Sequence, residues 1–503
     1  MTDQPRLSLF NTLTRRVEPV ELIQPGMLSM YSCGPTVYSY AHIGNFRTFL
    51  TADLIARVAR TLGLEVRYVT NITDVGHLTE DDTADAGGED RMERALSSEE
   101  GKRFENVWDL ARHFTEALLD DWSALNLLEP TVRPRATEHI RDQILAVEGL
   151  VEKNLAYETD QGVYFSVDAF PNYGRLSGNL SSEDLVEAGR ELVSDPGKRS
   201  PRDFALWKKD PHHLMQWYSP WGWGFPGWHI ECSVMANRYL GDTIDVHAGG
   251  EDLIFPHHEC EIAQAEGLSG KPFALHWVHT RFLQVEGEKM SKRLGNWLTV
   301  RDVIAPVDEG GRGVDPIALR LALISGQYRK PFNFVFDTLK ASAKHVETLR
   351  SVFDRAEEGV AAGRPGPDDL AEPLGRLRTR IVAAMADDLN VPEALALILE
   401  GARMIRSNDM SGAAAGTAVA FMQLVNELLG IPRSERGAGE PTAIGAGGSF
   451  QQRVDALVRE RDEARRARDF ERADRLRNEI SELGVEVMDS PDGSTWKLKP
   501  PGL

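Results

Sequence analysis

Cys33, Cys232, His257 and Glu261 offer the donor types that hold a borderline-soft divalent metal: two thiols, an imidazole and a carboxylate. His257 and Glu261 are four apart, so on a helix they share one face. Cys33 closes the first predicted strand, Met27 to Cys33, and Cys232 lies in the run Trp228-His-Ile-Glu-Cys232 leading to another strand. Side chains at the ends of neighbouring strands converge in a doubly wound sheet, so the set suits zinc. The plainer alternative makes the two cysteines small buried hydrophobes and His257 a surface histidine. Cys260 and His258 compete within the same stretch, because His257 and Cys260, at i and i+3, could also reach one ion.

Two further segments suit phosphate. His42-Ile-Gly-Asn45 falls where a strand gives way through a loop to a helix, and His42 and Gly44 stand where free backbone N–H groups and the helix dipole favour an anion. Downstream, Lys289-Met290-Ser291-Lys292 lies in a polar, Gly-containing loop with two lysines three apart. Alone, each is a weak signal. In this order, each flanked by α/β elements, an imidazole and two ammonium groups could surround a triphosphate, with their gain largest as charge develops at the α-phosphate. Gly249, Gly250 and Asp252 follow the strand Thr243 to His247 and could approach a ribose, with Asp252 accepting from a hydroxyl. The plainer role for Asp252 is a neighbour of a helix N-cap.

The elements that position these groups read as α/β. The strand ending at Cys33, an amphipathic helix with Phe46, Phe49, Leu50, Leu54 and Val58 on one face, and the strand Leu64 to Asn71 form the repeat of a parallel sheet. Helical patterns follow over 89–126 and 136–154. Short strands around Gly162 to Val167, Tyr173 to Gly178 and Asp203 to Lys208 suggest an insertion that splits the sheet domain. The sheet resumes near Trp228, with a helix beginning at Pro256 and running to about Glu266, and a strand over Phe273 to His279. Beyond Val300 the spacing is helical over 319–324, 338–355, 370–385 and 391–405. Arg433 to Gly448 reads as a flexible linker, Gln451 to Leu483 as a charged helical pair, and Asp492-Gly493 as the turn of a hairpin.

The fold class is therefore a Rossmann-type parallel sheet catalytic domain split by an insertion, followed by an α-helical bundle and a small C-terminal module. The expected divisions are 1–135 and 216–300 for the two halves of the sheet domain and 136–215 for the insertion. A helical junction takes 301–345, a bundle 346–432, a linker 433–449 and the last module 450–503.

With 503 residues the chain exceeds one core. Its 42% hydrophobic and 27% charged residues are ordinary for a soluble protein, and no apolar run approaches the roughly 20 residues that cross a bilayer. Three cysteines exclude a disulfide framework and point to a reducing compartment. The polar start Met1-Thr-Asp-Gln-Pro-Arg predicts a cytoplasmic protein. A net charge of −20 weighs against indiscriminate polyanion binding while leaving room for a basic face on one domain.

Taken together, Tyr31-Ser-Cys-Gly-Pro-Thr-Val-Tyr38, His42-Ile-Gly-Asn45, Gly227-Trp-His-Ile-Glu-Cys-Ser233, Gly249-Gly-Glu-Asp-Leu-Ile-Phe-Pro-His-His-Glu259 and Lys289-Met-Ser-Lys292 closely resemble the cysteinyl-tRNA synthetases. The resemblance runs over nearly the whole chain, including Asp387-Asp-Leu-Asn390 and the Arg/Glu-rich tail.

It implies a class I ligase that activates L-cysteine with ATP and passes it to the 3′ end of tRNA(Cys). It implies one Zn2+ on Cys33, Cys232, His257 and Glu261, ATP with Mg2+ as substrate, a cysteine pocket at Thr36 and Trp228, and a tRNA-binding C-terminal module. His42, Asn45, Lys289 and Lys292 would act in catalysis; with Gly44, Gly249, Gly250, Asp252, Met290 and Ser291 they would bind ATP. A monomer without membrane attachment is expected.

The chain departs from the family at Asn45, where many members have a second His, at Arg293 for a common Ser, and at Cys260 for a residue that is often Asn. Val75-Gly-His77 replaces acidic residues common there. Two other readings use the same residues: an ATP-dependent cysteine ligase of mycothiol biosynthesis with an amino-sugar acceptor, and an inactive synthetase relative acting as a binding or regulatory protein. The long stretch after the lysine loop favours tRNA over the amino sugar, and the intact motifs argue against inactivity.

Overall fold

The computed structural model describes residues 5–78, 90–178, 197–291 and 294–432; beyond 456 it describes isolated helical turns and two strands. Lys292, Arg293, the expected linker and most of the expected helical pair lie outside the described residues.

A four-stranded sheet carries the site. Its strands are β1 (Met27–Ser32), β2 (Glu65–Thr70), β3 (Ile244–Gly250) and β4 (Ala274–Thr280), in spatial order β4-β3-β1-β2, and every pairing is parallel. β1 is apolar on both faces and buried along nearly its whole length, as a parallel strand covered by helices must be. Asp245 ties β1 to β3: its carboxylate accepts from Ser29 N–H at 2.6 Å and from Ile23 N–H at 2.7 Å. Helix α1 (Ile43–Thr61) crosses from β1 to β2 and packs Phe46, Leu50 and Leu54 inward. The order in which the chain adds strands switches sides between β1 and β3, which in open α/β sheets opens a cleft at the strands' carboxyl ends.

Two helices bring the remaining donors to that cleft. Helix α2 (Trp228–Leu240) places Cys232 one turn in, where the sequence suggested the approach to a strand. Every residue from Trp228 to Ala236 is buried, so no amphipathic period marks this helix in the sequence. A kinked segment over Ile254–His258, with Phe255 extended and a cis Phe255–Pro256 bond, then leads into helix α3 (Glu259–Ser269), which starts three residues after the expected Pro256 and ends at Gly270 in the left-handed region.

The insertion forms its own five-stranded antiparallel sheet. Its strands Trp217–Ser219 and Gly222–Pro226 pair next to Phe204–Lys209, so the expected division after residue 215 cuts through one sheet. Tyr173 to Gly178 is turn rather than strand. The bundle comprises Phe336–Ala362, Ala371–Ala386, Val391–Ser407 and Gly412–Leu429, and its first helix runs across the expected division at 345. Residues up to Ser434 form one compact unit and those from Glu435 a second. In the second, Val485–Ser490 and Gly493–Leu498 pair antiparallel, the hairpin that Asp492-Gly493 signalled.

A buried ion-pair node joins bundle to sheet domain. Asp53 on α1 pairs with Arg57 at 2.8 Å and with the fully buried Arg320. Arg320 also donates to the carbonyls of Leu429 at 2.6 Å and Leu125 at 3.0 Å. Burial would raise the Asp53 carboxyl, but the two guanidinium groups bring it below its ordinary value. Arg320→Leu leaves the buried Asp53 with Arg57 but without its second guanidinium, and removes the donor to the Leu429 and Leu125 carbonyls; it is expected to cost about 3–5 kcal/mol in denaturant unfolding. A loss under about 1 kcal/mol, the worth of an exposed pair, would contradict this.

Candidate metal centre and nucleotide cavity

Cys33 directly follows β1, and its N–H donates to Ala248 O on β3 at 3.3 Å. The thiol thus sits at the floor of the cleft. The donor atoms of Cys33, Cys232, His257 and Glu261 all lie within 4.8 Å of one another, and all four residues are buried. Glu261 Oε1 is 3.0 Å from His257 Nε2 and 3.3 Å from Cys33 Sγ.

Burial would raise the Glu261 carboxyl; the His247 and His257 imidazoles beside it hold it well below its usual range. Burial lowers the His257 imidazole's proton affinity, but the charges of Glu261 and Cys232 and the hydrogen bonds to both together outweigh it and lift the group to about 10. Burial pushes the Cys33 thiol well up. It opposes the Cys232 thiolate as well, yet hydrogen bonding from Cys33 and His257 brings that thiol down to about 6. Two sulfurs, one nitrogen and one carboxylate oxygen, converging at one buried point with Cys232 and Glu261 already biased toward their anionic forms, fit a tetrahedral zinc site.

A second quartet meets the same distance test: Cys33, His247, His258 and Glu261. His247 Nε2 bonds Glu261 Oε2 at 2.9 Å, and His258 Nε2 lies 3.4 Å from Cys33 Sγ. The two quartets share Cys33 and Glu261 but differ in surroundings. His247 stacks on Trp277 in the core (4.5 Å, 15°), whereas His257 stacks on Trp228, which lines the open cavity (4.2 Å, 27°). A site that must meet a substrate keeps a side open, which favours the first quartet. His247 and His258 then act as outer partners that orient Glu261 and Cys33. Cys260 belongs to neither quartet; its sulfur is 3.5 Å from the Tyr173 hydroxyl. Spacing along the chain pointed to Cys260 and His258 as competitors; the second quartet contains His258 but not Cys260, and it adds His247, which spacing missed.

The cavity encloses about 270 Å3 and is lined by Cys33, Thr36, His42, Asn45, Trp228 and Asp252 among others. His42 is the N-cap of α1: its Nδ1 accepts from Asn45 N–H at 3.1 Å, while Asn45 Oδ1 accepts from His42 N–H at 3.1 Å. With Nδ1 accepting, the neutral ring carries its proton on Nε2. Asn45, the departure from the family's second His, thus closes a capping box. A Cβ on Gly44 would stand 2.9 Å from the His42 ring and 3.3 Å from Met290 Cε, so only glycine lets the two motifs meet this closely.

Lys289 lies on a short exposed strand, and Asn296 clasps the loop by accepting from Ser291 N–H at 2.8 Å and donating to Lys289 O at 3.1 Å. Gly249 and Gly250 end β3, and Gly250 and Asp252 line the cavity. Thr36 Oγ1 is 2.6 Å from His77 Nδ1. A second groove of about 370 Å3 lies elsewhere, along Leu145, Asn237 and Leu268, and is lined by none of the candidate site residues.

Comparison with known proteins accords with this geometry. Residues 19–344 match the tRNA synthetases class I (C) catalytic domain, 380–431 the DALR domain, and 448–496 the cysteinyl-tRNA ligase anticodon binding domain. The chain is 55% identical to the cysteine–tRNA ligase of Salinibacter ruber, over 98% of this chain and 99% of that protein. It is 40% identical to that of Chlorobaculum tepidum over 98% and 99%. Among solved structures it resembles Mycobacterium tuberculosis methionyl-tRNA synthetase bound by methionyl-adenylate (TM-score 0.56, 14% identity, 80% of this chain and 92% of that one). It also resembles the leucyl enzyme of Agrobacterium radiobacter in complex with tRNA (TM-score 0.58, 12% identity, 82% and 85%). At such identities these structures speak for the fold.

Proposed function

The chain belongs to the cysteine–tRNA ligase family, and from that premise we propose how its own residues divide the work. The protein is an aminoacyl-tRNA synthetase whose partners are tRNA, cysteine and ATP. In the first step the cysteine carboxylate attacks the α-phosphate of ATP, giving cysteinyl-adenylate and pyrophosphate. A ribose hydroxyl at the tRNA 3′ end then takes the acyl group and releases AMP. No protein nucleophile is needed; orientation and charge stabilisation carry both steps.

His42 donates from Nε2 to the phosphates, with Asn45 fixing its tautomer. Lys289 and Lys292 neutralise charge that develops at the α-phosphate, and Mg2+ accompanies the ATP. Gly44, Met290 and Ser291 set the closeness of the two loops. Gly249, Gly250 and Asp252 take the ribose. Thr36 and Trp228 wall the pocket that receives cysteine.

Cys33, Cys232, His257 and Glu261 would hold zinc at the pocket floor. Bound there, the metal supplies a Lewis acid that takes a thiol as thiolate and a neutral hydroxyl poorly, a discrimination that a plain pocket limits to roughly 10²-fold between near-isosteres. The convergence of these four donors beside the cavity, which Cys33 lines together with His42, carries the reading. The anticodon-domain match over 448–496 supports tRNA, rather than an amino sugar, as acceptor. No described helix is long and apolar enough to cross a membrane, and the three cysteines are buried without a disulfide, which supports a cytoplasmic enzyme. We read it as a monomer. The test is ATP–pyrophosphate exchange with matched metal analysis. Exchange is expected to require cysteine, to fail with serine, and to track metal content as the enzyme is chelated and reloaded. Full cysteine-dependent exchange by metal-free enzyme would refute the assignment.

A further inference from the structure

His77 stands out in the sequence only because the family commonly carries acidic residues around that position. In the structure its ring lies flat on the Trp228 indole, with centroids 4.0 Å apart and planes 8° apart. Its Nδ1 meets Thr36 Oγ1 at 2.6 Å. Trp228 is stacked in turn on His257. One imidazole therefore touches both residues assigned to the amino-acid pocket, and all three line the cavity.

The backbone is shaped for this contact. Gly76 has φ of +76°, and a Cβ there would stand 2.6 Å from Pro226 O, two residues ahead of the indole. Gly76 thus lets the segment lie against the start of α2 and delivers the next ring onto Trp228. An aspartate or glutamate in place of His77 could bond Thr36 but has no ring face to offer an indole.

We infer that His77 is a positioning residue for cysteine, fixing the Trp228 indole and the Thr36 hydroxyl in the orientation that grips the amino acid. This rests on the assignment of Thr36 and Trp228 to the cysteine pocket. A tryptophan left with His257 as a stacking partner but without the His77 ring can shift into the space that ring filled, so the loss falls on the amino acid and spares the nucleotide.

Pyrophosphate exchange by the full-length enzyme tests it, with KM measured separately for cysteine and for ATP. His77→Ala is expected to raise KM for cysteine on the order of tenfold, the worth of a stacked pair with its hydrogen bond. KM for ATP, metal content and the unfolding midpoint should stay near wild type. His77→Phe, which keeps the ring, is expected to recover most of the loss. Should the alanine variant fail to fold, His77→Gln gives the same reading, because it keeps polarity without a ring face.

A KM for cysteine within twofold of wild type in the ringless variant would overturn the inference. So would a parallel rise in both KM values, or no recovery with Phe. Wild-type enzyme lacking cysteine-dependent exchange would instead sink the pocket assignment itself, so the two failures are distinguishable.

Discussion

Cys232→Ser is expected to strip the metal and to reduce the preference for cysteine over serine to about 10²-fold or less, the limit of a pocket that must tell near-isosteres apart by fit. Cys232 is the thiol that its surroundings bring down to about 6, so it is the donor most readily supplied as thiolate. A serine hydroxyl cannot take that form at neutral pH and is a poor ligand for a borderline-soft ion. The two quartets separate cleanly in this experiment. If Cys232 and His257 hold the metal, His247→Gln weakens binding by about 10–100-fold, as outer partners do, and leaves one site per chain. If His247 and His258 hold it, His247→Gln empties the site and Cys232→Ser does not. Cys260→Ser serves as control, because its sulfur faces Tyr173 and stands outside both quartets. Undiminished cysteine preference in metal-free Cys232→Ser would refute the role given to the metal.

The second large effect concerns His42. His42→Ala is expected to slow adenylate formation on the order of 10²–10³-fold, the loss typical of one preorganised donor aimed at developing charge. The residue also caps α1, worth about 1 kcal/mol of stability, so the two roles need separating. His42→Asn does this. An asparagine side chain keeps an acceptor for the Asn45 N–H but cannot place a donor where the imidazole Nε2 stands. Its unfolding midpoint should return toward wild type while the rate stays low, read as single-turnover adenylate formation with saturating ATP and cysteine. A wild-type rate in His42→Asn would show that the ring serves the helix alone.

Much of this was legible in the sequence because strand periodicity and loop chemistry agree there. Cys33 ends a run, Met27 to Cys33, that partly alternates apolar and small polar residues as a strand does, and His42 to Asn45 carry a cap one loop later, at a point where the backbone must expose N–H groups. Burial on all sides hides the rest. Trp228 to Ala236 forms a helix with no polar face, so Cys232 was read as approaching a strand. Gly222-Trp-Gly-Phe-Pro226 lacks the β-branched residues that announce strands, so the insertion's last strand was assigned to the wrong side of a boundary. Gly412-Ala-Ala-Ala-Gly416 opens a helix that composition disguises as loop. His258 is visible as the neighbour of His257, but His247 reaches the metal cluster only because β3 packs against α3, a tertiary fact with no linear signature.

In the proposed site Cys33 and Cys232 would together hold a metal whose Lewis acidity would favour the substrate's thiol. X-ray absorption at the zinc edge of the purified enzyme counts those sulfurs directly. The account expects one zinc per chain with two sulfur donors, rising to three when cysteine is added and staying at two with serine. A single sulfur, as the His247–His258 quartet would give, or a count that cysteine leaves unchanged at saturation, would contradict it.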